Sequence, residues 1–325
     1  MPLRKTALAT LALLAPFVAE FLLGDQYLAG PPAIGKQLGM YAMFVALYGS
    51  AALLIREIAR RRGRGWPTIL VLALAFGVAE EGLLTETLFN PHYLGLDLLS
   101  PGHIPLLGLG APWTVYVLTL HVVWSIATPI AIAEAFFGRS PWLRTPGTWV
   151  WSGLLVVGAV GTFLVSRALD AVHFLAAPGQ LAGAFAVVVA LVLVAVRLPA
   201  RPLRVPSGNP WLGFAVGLGL SSAFQVLKTG LGVSPWVQTG VMLALEAVAV
   251  GYALKTRPPA VSLAAGAAVT YCWLGLSTAA GAGLTAVVEQ CVLVAGTLVL
   301  LACATRRNIQ LTRLEKGTAV PEFRR

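Results

Sequence analysis

Residues 178–197 have the sequence PGQLAGAFAVVVALVLVAVR, in which the only charged residue is Arg197 at the end. A helix of about 20 mostly apolar residues crosses a bilayer core of roughly 30 Å. Nine further stretches of the chain have similar length and character. The ten predicted spans lie at about 6–24, 37–55, 67–88, 112–137, 147–166, 178–197, 210–229, 236–254, 259–280 and 284–304. The sequence therefore predicts an all-α fold, a polytopic transmembrane helix bundle of about ten spans.

The composition excludes most other classes of protein. Of the 325 residues, 58% are hydrophobic and 11% are charged, whereas soluble domains carry about 25% charged residues. These numbers exclude a soluble enzyme, a disordered chain and a disulfide-rich secreted scaffold. The spans also lack the alternation of apolar and polar residues that is typical of membrane β-barrel strands.

The net charge of +10 is explained by membrane orientation. If the N-terminus is cytoplasmic, 20 of the 23 lysines and arginines fall in inside segments. Positive segments that alternate with nearly neutral ones are the positive-inside pattern. We therefore expect a multi-pass plasma-membrane protein with both termini in the cytoplasm. Its expected partner is the bilayer itself, through anionic headgroups at the cytoplasmic face, and not nucleic acid. The sequence identifies no protein partner.

The predicted organisation is a single transmembrane helical domain over residues 1–304. A seam of Glu and His residues lies mainly in 1–137, and residues 305–325 form a basic cytoplasmic tail. The densest basic stretch is REIARRRGRGW at 56–66. It is typical of a topology signal, and a specific acidic partner is the alternative.

Ionisable residues inside the spans are costly in lipid and by default mark a functional site. With a rise of about 1.5 Å per residue, Glu80 and Glu81 lie about two turns below the outer surface on the third span. His121 lies at a similar depth on the fourth span. These three are the candidate catalytic residues. The predicted supporting residues of the seam are Glu20, Thr85, Trp124, Ser125 and Glu289.

Other features of the spans have plainer interpretations. Gly77 precedes the two glutamates by about one turn and permits close helix approach. Glu134 and Glu246 are expected to be protonated carboxyls that hydrogen-bond to the backbone. Glu86 is expected to be solvated near the outer surface. Gly213 and Gly217 form a GxxxG pattern that favours tight helix packing.

A carboxyl group without a nearby cation tends to stay protonated in a medium of low dielectric constant. Two adjacent carboxyls facing an imidazole suit a general acid or base, a proton carrier, or a metal site of oxygen and imidazole ligands. The sequence alone assigns no metal ligands and identifies no cofactor. For His121, a purely structural role as a hydrogen-bond partner stays open.

Residues 76–90, FGVAEEGLLTETLFN, resemble the first motif of the CAAX-protease and bacteriocin-processing (CPBP) superfamily of intramembrane proteases. That motif is a Glu-Glu pair followed after three residues by Arg, and Thr85 stands here in the place of the Arg. The resemblance implies that Glu80 and Glu81 are the pair and that His121 is the His of the second motif. It also implies that a glutamate activates water against a peptide bond.

A broader likeness covers about the first 150 residues. PFVAEFLLG, EEGLLTETLFNP and PWTVYVLTLHVVWSI are similar to segments of a group of uncharacterised prokaryotic multi-span membrane proteins. This likeness implies no activity. The leading hypothesis is therefore an integral membrane protein with an intramembrane Glu/His site, as in a CPBP-like hydrolase or peptidase. The alternatives are a proton-coupled transporter of a small solute and a non-catalytic membrane scaffold.

Overall fold

The computed structural model describes residues 2–24, 34–170, 173–200, 206–228 and 232–318. The α-helices are α1 (Pro2–Pro16), α2 (Ile34–Phe44), α3 (Ser50–Arg61), α4 (Trp66–Ala79), α5 (Ala111–Leu120), α6 (Thr128–Phe137), α7 (Thr145–Leu169), α8 (Pro178–Arg197), α9 (Pro210–Leu227), α10 (Pro235–Thr256), α11 (Ala260–Ala282) and α12 (Leu284–Thr318). Four π-helical segments extend or join them, π1 (Phe17–Phe21), π2 (Val45–Gly49), π3 (Glu80–Leu84) and π4 (His121–Ala127). The loop after π3 contains a short antiparallel pair, β1 (His103–Ile104) and β2 (Leu109–Gly110).

The predicted all-α polytopic bundle is confirmed. Within the described residues, nine helices are long and apolar enough to cross a membrane. The predicted first span corresponds to α1 and π1, which are not among these nine. Helix α1 has 15 residues and π1 has 5 residues. The first turn of α1 carries Arg4 and Lys5. The apolar part of this helix is therefore at the lower limit of a span.

Helix α12 continues to Thr318, beyond the predicted domain boundary at residue 304. The first part of the predicted basic tail is therefore helical. Residues 319–325 of that tail lie outside the described residues.

The helices form an inner and an outer layer. The inner layer consists of the continuous helices Ile34–Arg61, Trp66–Leu84 and Ala111–Phe137, together with α11, and at least half of each is buried. Helices α7, α8, α9, α10 and α12 are mostly exposed and apolar on their outer faces. Apolar exposed helices are typical of contact with lipid. Glu80, Glu81 and His121 therefore lie in the layer that is shielded from lipid.

Two close helix approaches depend on glycine. A Cβ atom on Gly77 would lie 3.0 Å from the Cβ of His121, so α4 and π4 touch at this position. A Cβ on Gly217 would lie 2.6 Å from the carbonyl oxygen of Leu263 on α11. The approaches predicted at Gly77 and at the GxxxG pattern are thus both confirmed.

The end of the bundle that carries the arginines of residues 56–64 is fixed by buried ion pairs. Glu134 on α6 accepts two hydrogen bonds of 2.7 Å from Arg60. The Nε atom of Arg56 lies 2.9 Å from the same carboxylate, and the Arg56 guanidinium stacks on Trp142. The expectation that Glu134 is a protonated carboxyl bonded to the backbone is wrong, because two arginines of α3 face it across the helix interface.

Candidate functional site

Glu80, Glu81 and His121 come together where π3 faces π4. The Nε2 atom of His121 lies 2.7 Å from Oε1 of Glu81, and its Nδ1 atom lies 3.3 Å from Oε2 of Glu80. All three side chains are buried. The two helices therefore present these groups to each other at matching depth, as the sequence predicts. That the three residues carry out chemistry stays a prediction.

The surrounding hydrogen bonds distinguish the two glutamates. Both oxygens of Glu81 are engaged, Oε1 by His121 and Oε2 by the hydroxyls of Thr85 and Thr87. Glu80 accepts a hydrogen bond of 2.5 Å from Tyr48 at Oε1. Within the described part of the chain, its Oε2 atom has no hydrogen-bond partner and lies 3.3 Å from Nδ1 of His121. Glu80 is thus the carboxyl with an oxygen left for a further ligand.

Every π-helical segment of the described residues contributes to this cluster. Segment π1 carries Glu20, π2 carries Tyr48, π3 carries the two glutamates and π4 carries His121. Glu20 hydrogen-bonds with Tyr48 and acts electrostatically on Glu80 and His121. A π-helical turn inserts an extra residue, costs stability and is frequent at functional sites. Four such turns at one point indicate that the cluster is held in place at an energetic cost.

The predicted supporting residues divide into two groups. Thr85 lies in the cluster, Glu20 acts on it, and the hydroxyl of Ser125 lies 3.5 Å from Nδ1 of His121. Trp124 is directed elsewhere, because its indole N–H donates to the carbonyl of Ala267 and its ring stacks on Tyr271.

Glu289 is also placed elsewhere. Its Oε2 atom lies 3.5 Å from the side-chain nitrogen of Gln37 on α2. Its expected place in the seam is therefore wrong, since depth along a span does not fix the direction in which a helix face points.

Three residues of the cluster were missed by the sequence argument. Tyr48 and Thr87 hydrogen-bond directly to the glutamates. Tyr93, in the loop after π3, lies near Glu81 and hydrogen-bonds with Ser166. Burial, together with the negative charge of Glu81, raises the pKa of Tyr93 to about 12. These hydroxyl groups carry no distinguishing signal in the sequence, because Tyr and Thr are common both in apolar spans and in loops.

A small polar cavity lies between Thr85 and the loop above it. Its volume of about 10 Å³ is enough for one water molecule. The lining residues are Leu84, Thr85, Glu86, Asn90, Ser166, Arg167, Asp170 and Phe174. Glu86 is buried here and pairs with Arg167 at 3.2 Å, so the expectation that Glu86 is solvated is wrong. Since Thr85 belongs to both, the cavity adjoins the Glu/His cluster.

The cluster also has the composition of a cation site. One ligand atom from each of Glu80, Glu81 and His121 lies within 4.8 Å of the others. Carboxylate oxygens and an imidazole nitrogen are ligands that zinc accepts. These three residues could together hold a divalent ion.

The remaining intramembrane glutamate, Glu246 on α10, accepts a hydrogen bond of 2.5 Å from Thr119. Its partner is therefore a side chain and not the backbone that the sequence predicts. It lies on a different helix pair from the cluster and serves below as a control position.

Comparison with known proteins establishes the family and no activity. Searches of curated proteins and of solved structures found no match to this chain. A family model described as an uncharacterized membrane protein family matches residues 9–314. This match supports the broader likeness to uncharacterised multi-span membrane proteins, whereas the CPBP resemblance is not shown by it. The chain is a multi-pass membrane protein that belongs to this uncharacterised membrane protein family.

Proposed function

We propose that the protein is an intramembrane hydrolase that activates a water molecule with Glu80 and cleaves a peptide bond in or near the membrane. The observation that carries this proposal is the convergence of two carboxyls and one imidazole within 4.8 Å in a buried position. A general base and an orienting imidazole at hydrogen-bond distance are the minimal equipment for hydrolysis with activated water. The resemblance of residues 76–90 to the CPBP motif supports a peptide as the substrate class.

The hydrogen bonds suggest a role for each residue. Oε2 of Glu80 has no hydrogen-bond partner in the described residues and has Nδ1 of His121 at 3.3 Å, and we assign to Oε2 the proton taken from water. Glu81 accepts from Nε2 of His121 and fixes the ring, so that Nδ1 points toward Glu80. In its protonated form Nδ1 would stabilise the negative charge that develops on the substrate oxygen. Tyr48 holds the other oxygen of Glu80 in place.

A proton-coupled transporter is the second candidate, and one observation favours it. Polar groups continue from Glu80 through His121 and Glu81 to Thr85, which borders the small polar cavity. A chain of titratable and hydroxyl groups is typical of a proton pathway in a membrane protein.

The two candidates are separated by one reconstitution. The purified protein is placed in liposomes, and cleavage of a library of quenched fluorescent apolar peptides is measured together with proton uptake by an internal pH dye. We expect cleavage that falls by about 10²–10⁴ in Glu80→Gln and His121→Ala. The matched control Glu246→Gln should cleave normally. Chelation with EDTA tests whether a divalent ion takes part.

Three outcomes would decide against hydrolysis. Peptides that stay intact while proton uptake is lost in Glu81→Gln would assign the protein to transport. Cleavage that is unchanged in Glu80→Gln and His121→Ala would place the activity elsewhere. Absence of both cleavage and uptake in folded protein would favour the scaffold alternative.

The location and orientation are part of the same proposal. A plasma-membrane protein with both termini in the cytoplasm would expose the loop of residues 89–111 outside. Single cysteines introduced at Arg62 and at Leu106 should react with an impermeant thiol reagent on intact cells only at position 106. Labelling at position 62 instead would invert the orientation.

A further inference from the structure

A second candidate site lies at the arginine-rich end of the bundle, far from the Glu/His cluster along the helices. A groove of about 190 Å³ lies between α3 and the first turn of α7. Its lining residues are Leu54, Glu57, Ile58, Arg61, Arg62 and Thr148. This volume is enough for a phosphate group with its neighbouring atoms.

The lining residues carry a net positive charge, because two arginines, Arg61 and Arg62, accompany one glutamate, Glu57. Both carboxylate oxygens of Glu57 already accept hydrogen bonds. Arg61 donates to one at 2.7 Å, and the backbone N–H of Trp142 donates to the other at 2.9 Å. Arg61 is also held by the carbonyl of Leu143 through Nη2. In the part of the chain that the structure describes, Arg62 is exposed and has no hydrogen-bond or ion-pair partner. One arginine is therefore fixed in place and the next is available to a ligand.

The N-terminal end of helix α7 adds to this positive charge. Thr148 lies in the first turn of the 25-residue helix α7, whose N-terminal end carries a partial positive charge. That charge and the two arginines attract the same kind of group, an anion with several acceptor oxygens. Phosphate groups are bound in this way at helix N-termini and by arginine.

The apolar wall indicates which phosphate fits. Leu54 and Ile58 line the groove beside the arginines, and the Ile58 side chain is 37% exposed. Trp149, next to Thr148, is 75% exposed, and exposed tryptophans are enriched at the level of lipid headgroups. A ligand that combines a phosphate with an apolar chain, at this depth, is a phospholipid and not a soluble phosphate.

We propose that this groove is a binding site for one anionic phospholipid, with its phosphate on Arg62 and Nη1 of Arg61 and an acyl chain along Leu54 and Ile58. The site is independent of the proposed hydrolase. It differs from general attraction between basic loops and acidic membranes because it requires one particular arginine and one particular groove.

The test uses the full chain purified in detergent, with lipid binding measured by native mass spectrometry. Equal amounts of phosphatidylglycerol and phosphatidylcholine are added. We expect phosphatidylglycerol to be preferred, and the preference to fall about fivefold in Arg62→Gln, as for the loss of one basic residue near a membrane surface. Arg197→Gln, which removes an exposed arginine at the end of α8, is the matched control and should bind normally.

Two further arms distinguish the alternatives. Ile58→Trp fills the apolar wall and keeps both arginines, so it should also reduce phosphatidylglycerol binding. Soluble glycerol phosphate at millimolar concentration should not displace the lipid. Equal effects of Arg62→Gln and Arg197→Gln, or normal binding in Ile58→Trp, would overturn the proposal. Displacement by glycerol phosphate would overturn it in favour of a soluble phosphate ligand.

Discussion

Replacing Gly77 with alanine should destabilise the protein, although alanine is the better helix former. The new Cβ atom would lie 3.0 Å from Cβ, 3.4 Å from Cγ and 3.5 Å from Cδ2 of His121. Carbon atoms in contact prefer separations of about 3.5–4.0 Å. The two helices must therefore separate by several tenths of an ångström at the point where the Glu/His cluster forms.

The size of the effect follows from two opposing terms. Alanine in place of glycine stabilises a helix interior by about 0.5–1 kcal/mol. Overpacking of a tight interface costs about 1–3 kcal/mol. We expect the second term to exceed the first, and the contact of 2.7 Å between His121 and Glu81 to lengthen.

Gly219→Ala is the matched control, because a Cβ atom at Gly219 on α9 would meet no atom within 4 Å. This variant gains the helix term alone. Thermal unfolding of both variants in detergent, followed by tryptophan fluorescence, should show a lower midpoint for Gly77→Ala and an equal or higher midpoint for Gly219→Ala. A midpoint that rises equally in both variants would refute the packing of α4 against π4.

Three further predictions follow from single contacts. Glu134→Gln leaves Arg56 and Arg60 buried without their carboxylate and should lower the free energy of unfolding by about 3–5 kcal/mol. Glu246→Gln can keep its bond to Thr119 and should lower it by less than about 1 kcal/mol. Equal losses of stability in a thermal-shift assay would contradict this prediction. Thr87→Val removes one donor to Glu81 and should cost about 1.5–3 kcal/mol if that carboxyl is ionised, measured by the same assay; an unchanged midpoint would show that the contact carries no energy. The pKa of Tyr93 is raised from 10.0 to about 12, so the folded state binds the proton more tightly and its stability should fall as pH rises from 10 to 12. That fall should be shallower in Tyr93→Phe, and identical pH profiles would argue against burial of the phenol.

The matching height of Glu81 and His121 could be predicted from the sequence with two simple rules. The pattern of basic loops gives the direction of each span, and the helical rise converts residue number into depth. Glu81 and His121 were placed at one level by these rules, and they lie 2.7 Å apart. Gly77 could also be identified, since only a glycine permits this approach.

The direction of each side chain around its helix could not be predicted, and the π-helical segments are one reason. The π4 segment begins at His121 and changes the rotation per residue, so α-helical spacing does not give the direction of the side chains that follow, such as Trp124. Trp124 lies within π4 and contacts α11 instead of the cluster. Glu289 was assigned to the seam by depth alone, and it contacts Gln37 on α2.

Ion pairs between distant segments were also beyond the sequence. Arg60 and Glu134 are 74 positions apart, and Arg167 and Glu86 are 81 apart. Their pairing depends on which helices are neighbours, which the apolar pattern of the spans does not encode. The result is that two glutamates expected to be protonated or solvated are buried and bound to arginine.

The central claim is that α4 with π3 and the helix that contains π4 face each other through Gly77 and His121. The most direct test is a cysteine pair at these two positions in a chain whose Cys272, Cys291 and Cys303 are replaced by alanine. Treated with a mild oxidant in native membranes, Gly77→Cys/His121→Cys should form an intrachain disulfide in most molecules, detected by mass spectrometry as a linked peptide pair. Gly219→Cys/His121→Cys is the control and should keep both thiols. Free thiols in both proteins under conditions that oxidise a known close pair would contradict the claim.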